Sequence, residues 1–230
     1  MRPQEKAVEI AEDVKELGRI KFEILASGLR ISEQARGFLA HAKEPLRTRS
    51  GVSGGLDIIL PCDIHVNSPI NERFASRSRL MLDVDDSGLV IKRDQKLLCE
   101  VKLQPTPAYY ALRTSDGVPM AKIGQMCSGD RFCYGMTGPY CFFWKAGSHC
   151  KFCSIGLNAD LDASQKTISQ MLEVLAVAVE DPILPVRHVL LGGGTPNTED
   201  MGAVLAAELC KAIKTRFDLG CYAMICAPSK

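Results

Sequence analysis

The run "VRHVLLGGG", Val186 to Gly194, constrains the fold of this chain more than any other stretch. Its apolar part is short and continuous and ends in glycine, which is the pattern of a strand buried on both faces. An amphipathic helix pattern precedes it, with Ile168, Met171, Leu172, Leu175 and Val179 on one stripe. Another follows, with Met201, Val204, Leu205, Leu209 and Ile213. Thr198 is the expected N-cap of that second helix, with Glu199 and Asp200 in its first turn. "GCYAMICAP", from Gly220, is a further short apolar strand. Strand and helix alternating at this spacing specify a parallel sheet with right-handed crossovers, an α/β arrangement.

The first half has a different rhythm. Residues 5–40 read as helical, with Ile10, Val14 and Leu17 on one face, Phe22, Leu25 and Leu29 on another, and Gly18 and Gly28 as interruptions. "RTRSGVSGG", 47–55, has the composition of a linker. From Leu56 to about Val118 the pattern turns to β, in the runs "LDIILPCDIHV", "RLMLDV", "GLVIKR" and "LLCEVKL". Asp85-Asp86-Ser87-Gly88 supplies turn chemistry between two of them. The expected division is a helical plus β-rich region over 1–120, of no assignable role, and an α/β region over 121–230.

Charge narrows the partners. With 28 basic and 27 acidic residues the net charge is +1, which leaves no electrostatic footprint for nucleic acid or for an anionic membrane. The charged N-terminal stretch holds no secretory apolar block, and no run approaches the roughly 18 apolar residues of a membrane span. A cytoplasmic address is therefore expected. In such a reducing compartment the ten cysteines are expected to be buried, metal-bound or redox-active rather than disulfide-bonded.

Three of them lie in "CFFWKAGSHCKFCSIG", residues 141–156. The gap Cys150-x-x-Cys153 lets two sulfurs converge in a tight loop, and Gly138, Pro139 and Gly147 let Cys141 bend back towards them. Three readings compete. Four ligands, for instance Cys133, Cys141, Cys150 and Cys153 with His149 as a further candidate, would make a structural zinc site. Cys150 and Cys153 alone would make a redox dithiol. Three cysteines on a [4Fe–4S] cluster would leave one iron free for a small molecule. Two features favour the third: aromatic Phe152 before the last cysteine, and "LLGGGTP", Leu190 to Pro196, where glycines at a strand's carboxyl end bring the backbone close to a ligand.

On those residues the chain resembles the radical SAM superfamily. Cys150-Lys151-Phe152-Cys153 matches that family's Cys-x-aromatic-Cys, and Gly192-Gly193-Gly194-Thr195-Pro196 resembles its glycine-rich segment, in the form seen in coproporphyrinogen-dehydrogenase-like and Elongator-like members. The resemblance covers about residues 123–230 and extends to a bacterial subfamily with no assigned substrate, similar to biotin-synthase-like members. Its first cysteine spacing departs from the common one, because eight residues rather than three separate Cys141 from Cys150, and Cys133 is the substitute candidate.

The resemblance implies an incomplete (βα)6 partial barrel, strands one to three only, preceded by the helical segment and the small β-rich region. It implies a [4Fe–4S] cluster on Cys141, Cys150 and Cys153, with S-adenosylmethionine held by Gly192, Gly193, Gly194, Thr195 and Pro196 and its adenine beside Phe152. It implies reductive cleavage to a 5′-deoxyadenosyl radical that abstracts hydrogen from a small-molecule substrate. A flavodoxin- or ferredoxin-like electron donor is then the expected partner. Because the family barrel has six strands, the chain is expected to be a fragment of a longer enzyme. The rival expectation is a non-enzymatic, zinc- or Fe–S-stabilised module that binds a protein. Cys62, Cys99, Cys210, Cys221 and Cys226 sit in apolar runs and are expected to be buried.

Overall fold

The computed structural model describes residues 3–41, 55–151, 153, 155–157 and 159–228. The linker expected at 47–55 lies, but for Gly55, outside the described residues. The chain divides into two compact units, one of residues 1–47 and 55–104, the other of 48–54 and 105–230.

In the first unit, helix α1 (Pro3–Ser27) buries Leu17, Ile20 and Ile24, an i, i+3, i+7 stripe. Val14, Phe22 and Leu25 are exposed, so the two expected faces give way to one narrower seam. Gly18 does not interrupt the helix, but Gly28 ends it at φ +70, its amide donating to the Ile24 carbonyl in the manner of a helix C-terminal glycine. A Cβ there would stand 2.6 Å from the carbonyl oxygen of Pro69. Strand β1 (Arg30–Ile31) pairs in parallel with residues Met81 and Leu82. Ser32 then caps helix α2 (Glu33–His41), its hydroxyl oxygen accepting from the Ala35 amide.

Strands β2 (Leu56–Leu60) and β3 (Ile64–Ser68) form an antiparallel pair extended by β7 (Lys102–Leu103). Strands β4 (Leu80–Asp85), β5 (Gly88–Arg93) and β6 (Lys96–Glu100) form an antiparallel meander beside β1. The Asp85 carboxylate closes the β4–β5 turn by accepting from the amide and hydroxyl of Ser87. Buried Asp83 holds α2 to this sheet, accepting from Ser32 Oγ at 2.6 Å and from Lys92 Nζ at 2.7 Å.

The second unit is built on one sheet in the order β11-β10-β9-β8. After the short helix α3 (Met120–Ile123) come β8 (Gln125–Cys127) and β9 (Arg131–Gly135), paired antiparallel. Helix α4 (Phe142–Lys145) lies in the cysteine segment, and α5 (Ile168–Ala178) leads to β10 (His188–Gly192). Helix α6 (Ala203–Arg216) leads to β11 (Gly220–Ala223). Strands β9, β10 and β11 are parallel neighbours in chain order. Phe132, Tyr134, Val189 and Leu191 face a core completed by Met171, Val174 and Leu175 of α5 and Leu209 and Ile213 of α6.

Helix α6 starts five residues after the expected cap at Thr198. Gly202, at φ +91, makes the entry, and the Asp200 carboxylate accepts from the Val204 amide. The expected partial (βα)6 barrel is not what forms. A barrel requires tilted strands that continue from neighbour to neighbour. Here three parallel strands end in antiparallel β8 on one side and in edge strand β11 on the other, while the first unit adds separate antiparallel and mixed sheets. The architecture is mixed α/β with open sheets. No helix among the described residues is long and apolar enough to cross a membrane.

Candidate functional site

In an open sheet with parallel strands, ligands settle outside the carboxyl ends of those strands. In this sheet β9 ends at Gly135 and β10 at Gly192, and the two glycines are in register. The Met136 amide donates to the Gly192 carbonyl at 2.8 Å, and the Met224 amide beyond β11 donates to Leu191 at 2.8 Å. The glycine turn is thus fastened from both sides.

Its missing side chains are what let the cysteine segment approach. Gly193 has φ +100, and a Cβ on it would stand 3.0 Å from Gly135 Cα. A Cβ on Gly194 would stand 1.7 Å from the Tyr140 carbonyl oxygen and 2.9 Å from Cys141 Cβ. The Phe142 amide donates to the Thr195 carbonyl at 2.8 Å. Thr137 Oγ1 lies 2.7 Å from the Tyr140 carbonyl oxygen and 3.1 Å from that of Gly194. Cys141 is therefore seated on the glycine turn. Buried Thr195 places its hydroxyl 3.3 Å from Cys226 Sγ, and Pro196 packs under Gly202.

The other two cysteines of the motif lie farther along the same segment. The Cys153 amide donates to the Cys150 carbonyl at 3.1 Å, which closes the Cys-x-x-Cys turn. Trp144 organises this arm. Its indole donates to Cys153 Sγ at 3.4 Å, its rings stack on His149 at 4.0 Å, and they press on Gly156, where a Cβ would be 2.6 Å away. Cys150 is exposed, whereas Cys141 and Cys153 are half-buried. Phe152 lies outside the described residues. Cys133 sits inside β9, opposite Leu190 and Gln125, so the sheet, and not the loop, fixes its place.

Among the described residues no three His, Cys, Asp or Glu side chains form a group placed to hold a metal ion. Three cysteine thiols are donors of the type that iron–sulfur clusters take, but the structure does not gather Cys141, Cys150 and Cys153 into one group. What the structure brings together is Cys141 with the glycine turn on one side, and Cys150 with Cys153 on the other.

Charged and thiol groups that the motif did not indicate also lie here. Under the end of β9, Asp162 and Lys166 form an ion pair with side chains only 7% and 2% exposed. The lysine amine lies 5.0 Å from the centre of the Tyr134 ring. A Cβ on Gly135 would stand 2.9 Å from Asp162 Oδ2 and 3.3 Å from Lys166 Nζ. Burial pushes the Lys166 pKa down, against the opposing pull of Asp162. Cys226 was expected to be buried and is exposed, because β11 ends before it; Cys62 is exposed on a turn at φ +60, and Cys99, Cys210 and Cys221 are half-buried. The signals in the sequence were the i, i+4 spacing of Asp162 and Lys166, and a cysteine three residues past a strand.

No protein-family model, no curated protein and no solved structure matches the chain.

Proposed function

We propose that the carboxyl end of the β9–β10–β11 sheet binds a [4Fe–4S] cluster through Cys141, Cys150 and Cys153, and S-adenosylmethionine against Gly192–Pro196, as in radical SAM chemistry. The observation that carries this reading is the seating of Cys141 on Gly194, with the two segments joined by the Phe142–Thr195 hydrogen bond. Cys141, the first cysteine of the motif, and the glycine turn, distant in sequence, thus meet at one end of one sheet.

When bound, such a cofactor pair supplies one-electron cleavage of the sulfonium and hydrogen abstraction from a substrate carbon. The chain's own residues hold and shape. Three soft anionic thiolates suit iron and leave a coordination position open. Cys141, Cys150 and Cys153 would hold the cluster, which would require the Cys150–Cys153 turn to close on Cys141. Trp144 keeps its N–H on the Cys153 sulfur, and half-buried Gly193 offers backbone to the amino end of the ligand. The setting is cytoplasmic, the substrate a small molecule, and the electron donor a flavodoxin- or ferredoxin-like protein.

Anaerobic reconstitution with iron and sulfide tests this. The expected product is brown, and its reduced-state paramagnetic signal changes when S-adenosylmethionine is added. Cys141→Ala, Cys150→Ala and Cys153→Ala should each abolish both, while Cys133→Ala should not. A colourless protein that retains zinc and loses it in Cys133→Ala would overturn the reading.

A further inference from the structure

Cys210 of α6 and Cys221 of β11 face each other with their sulfurs 3.1 Å apart. A disulfide bond is about 2.05 Å long, so a movement of about one ångström separates the pair from bonding distance. Both side chains are half-buried and pack on the core of the second unit. Their backbones are held in place. Cys221 is paired with Val189 in the ladder, and one turn along α6 from Cys210 the Lys214 amine donates to the Leu219 carbonyl at 3.0 Å. That bond ties the end of the helix to the start of the strand.

We propose that Cys210 and Cys221 are a redox modification site, closed to an intramolecular disulfide by a low-molecular-weight disulfide such as oxidised glutathione. The Cys210 thiolate attacks one glutathione sulfur, expelling one glutathione thiolate and leaving a mixed disulfide on Cys210. Cys221 then gives up its proton and attacks the Cys210 sulfur, expelling the second glutathione. Two protein thiols are oxidised, one small disulfide is reduced, and two small thiols leave. Burial, with the hydrogen bond to Cys210 adding to it, pushes the Cys221 thiol up to about 12; the same disulfide forms whichever thiol attacks first.

The bond would staple α6 to the edge strand. Residues following β11 carry the Met224 amide bonded to Leu191 and the Cys226 sulfur beside Thr195, so the staple stiffens one wall of the glycine turn. This inference rests on the two sulfurs alone and stands apart from the cofactor reading.

The test is incubation of the full chain with oxidised glutathione, then trypsin digestion and mass spectrometry without reductant. The expected product is a disulfide-linked pair of peptides, 188–211 with 217–230, and loss of the two thiols concerned. Because the second peptide also contains Cys226, the link should persist in Cys226→Ser and vanish in Cys221→Ser. Separate glutathione adducts on Cys210 and Cys221, no reaction at either, or a link that survives Cys221→Ser would each overturn the proposal. The wild type and Cys226→Ser carry the result even if Cys221→Ser fails to fold.

Discussion

Trp144 donates its indole N–H to the sulfur of Cys153 across 3.4 Å. Hydrogen bonds to cluster sulfurs raise the reduction potential of an iron–sulfur centre. Trp144→Phe keeps an aromatic ring in the arm but removes the donor. If the proposed cluster forms, the reconstituted variant should retain it and show a lower potential in a redox titration followed by its paramagnetic signal. An unchanged potential would separate this hydrogen bond from the cofactor.

Gly194→Ala tests the close approach of the two segments. The new methyl would meet the Tyr140 carbonyl at 1.7 Å, a backbone atom that has no room to yield. Overpacking of this kind costs about 1–3 kcal/mol or more, and Cys141 should be displaced from the turn with it. Gly37→Ala, in α2 with nothing within 4 Å of the added carbon, is the control and should stabilise by roughly 0.5–1 kcal/mol. Urea unfolding of the two variants gives opposite signs if the packing is as described.

The buried pair Asp162–Lys166 predicts a non-additive result. Removing one partner strands a buried charge, so Asp162→Asn should cost about 3–5 kcal/mol, while Asp162→Asn with Lys166→Met should cost much less. The lysine also fixes a direction with pH. Its folded pKa lies below its ordinary 10.5, so between those two values the unfolded chain binds more protons. Its contribution to stability therefore rises with pH through that window, and Lys166→Met should flatten the alkaline limb of a plot of stability against pH.

Asp83 governs the acid side. The hydrogen bond from Lys92, then that from Ser32, holds its carboxyl below the ordinary 3.8. The stabilisation is present above 3.8 and is lost as pH falls through the folded value. Asp83→Asn should lower stability at neutral pH by roughly 1.5–3 kcal/mol, the worth of a hydrogen bond to a charged group, and remove that acid dependence. Urea midpoints measured between pH 2 and pH 7 would show both, with the range chosen to bracket ordinary carboxylates.

Local chemistry made much of the chain readable. The Asp85–Gly88 turn was legible because an aspartate accepting from an amide two residues on closes a turn without tertiary help. Strands β4 and β5 were legible from their apolar runs, and β10 from its continuous one. The glycine turn announced itself because only glycine tolerates a carbonyl 1.7 Å from where a Cβ would be. What could not be read depends on partners distant in sequence. Alternating strands and helices specify parallel neighbours but not closure, and the three residues of β8 that pair antiparallel with β9 carry no pattern of their own. The start of α6 was misplaced because Asp200 and Gly202, rather than Thr198, make its entry. Asp162 and Lys166 carried no assignment, because the residues they lie against, Tyr134 and Gly135, are distant in sequence. In α1 one narrow stripe of Leu17, Ile20 and Ile24 is buried, and Phe22 and Leu25 remain in solvent.

Strand β10 has a paired neighbour along both flanks, and the bonds from Met136 and Met224 continue that pairing to its last residues. Its amides belong among the slowest of the second unit to trade their hydrogens for deuterium. A ligand bound at Gly193, as proposed, would rest on the most firmly paired strand of this sheet.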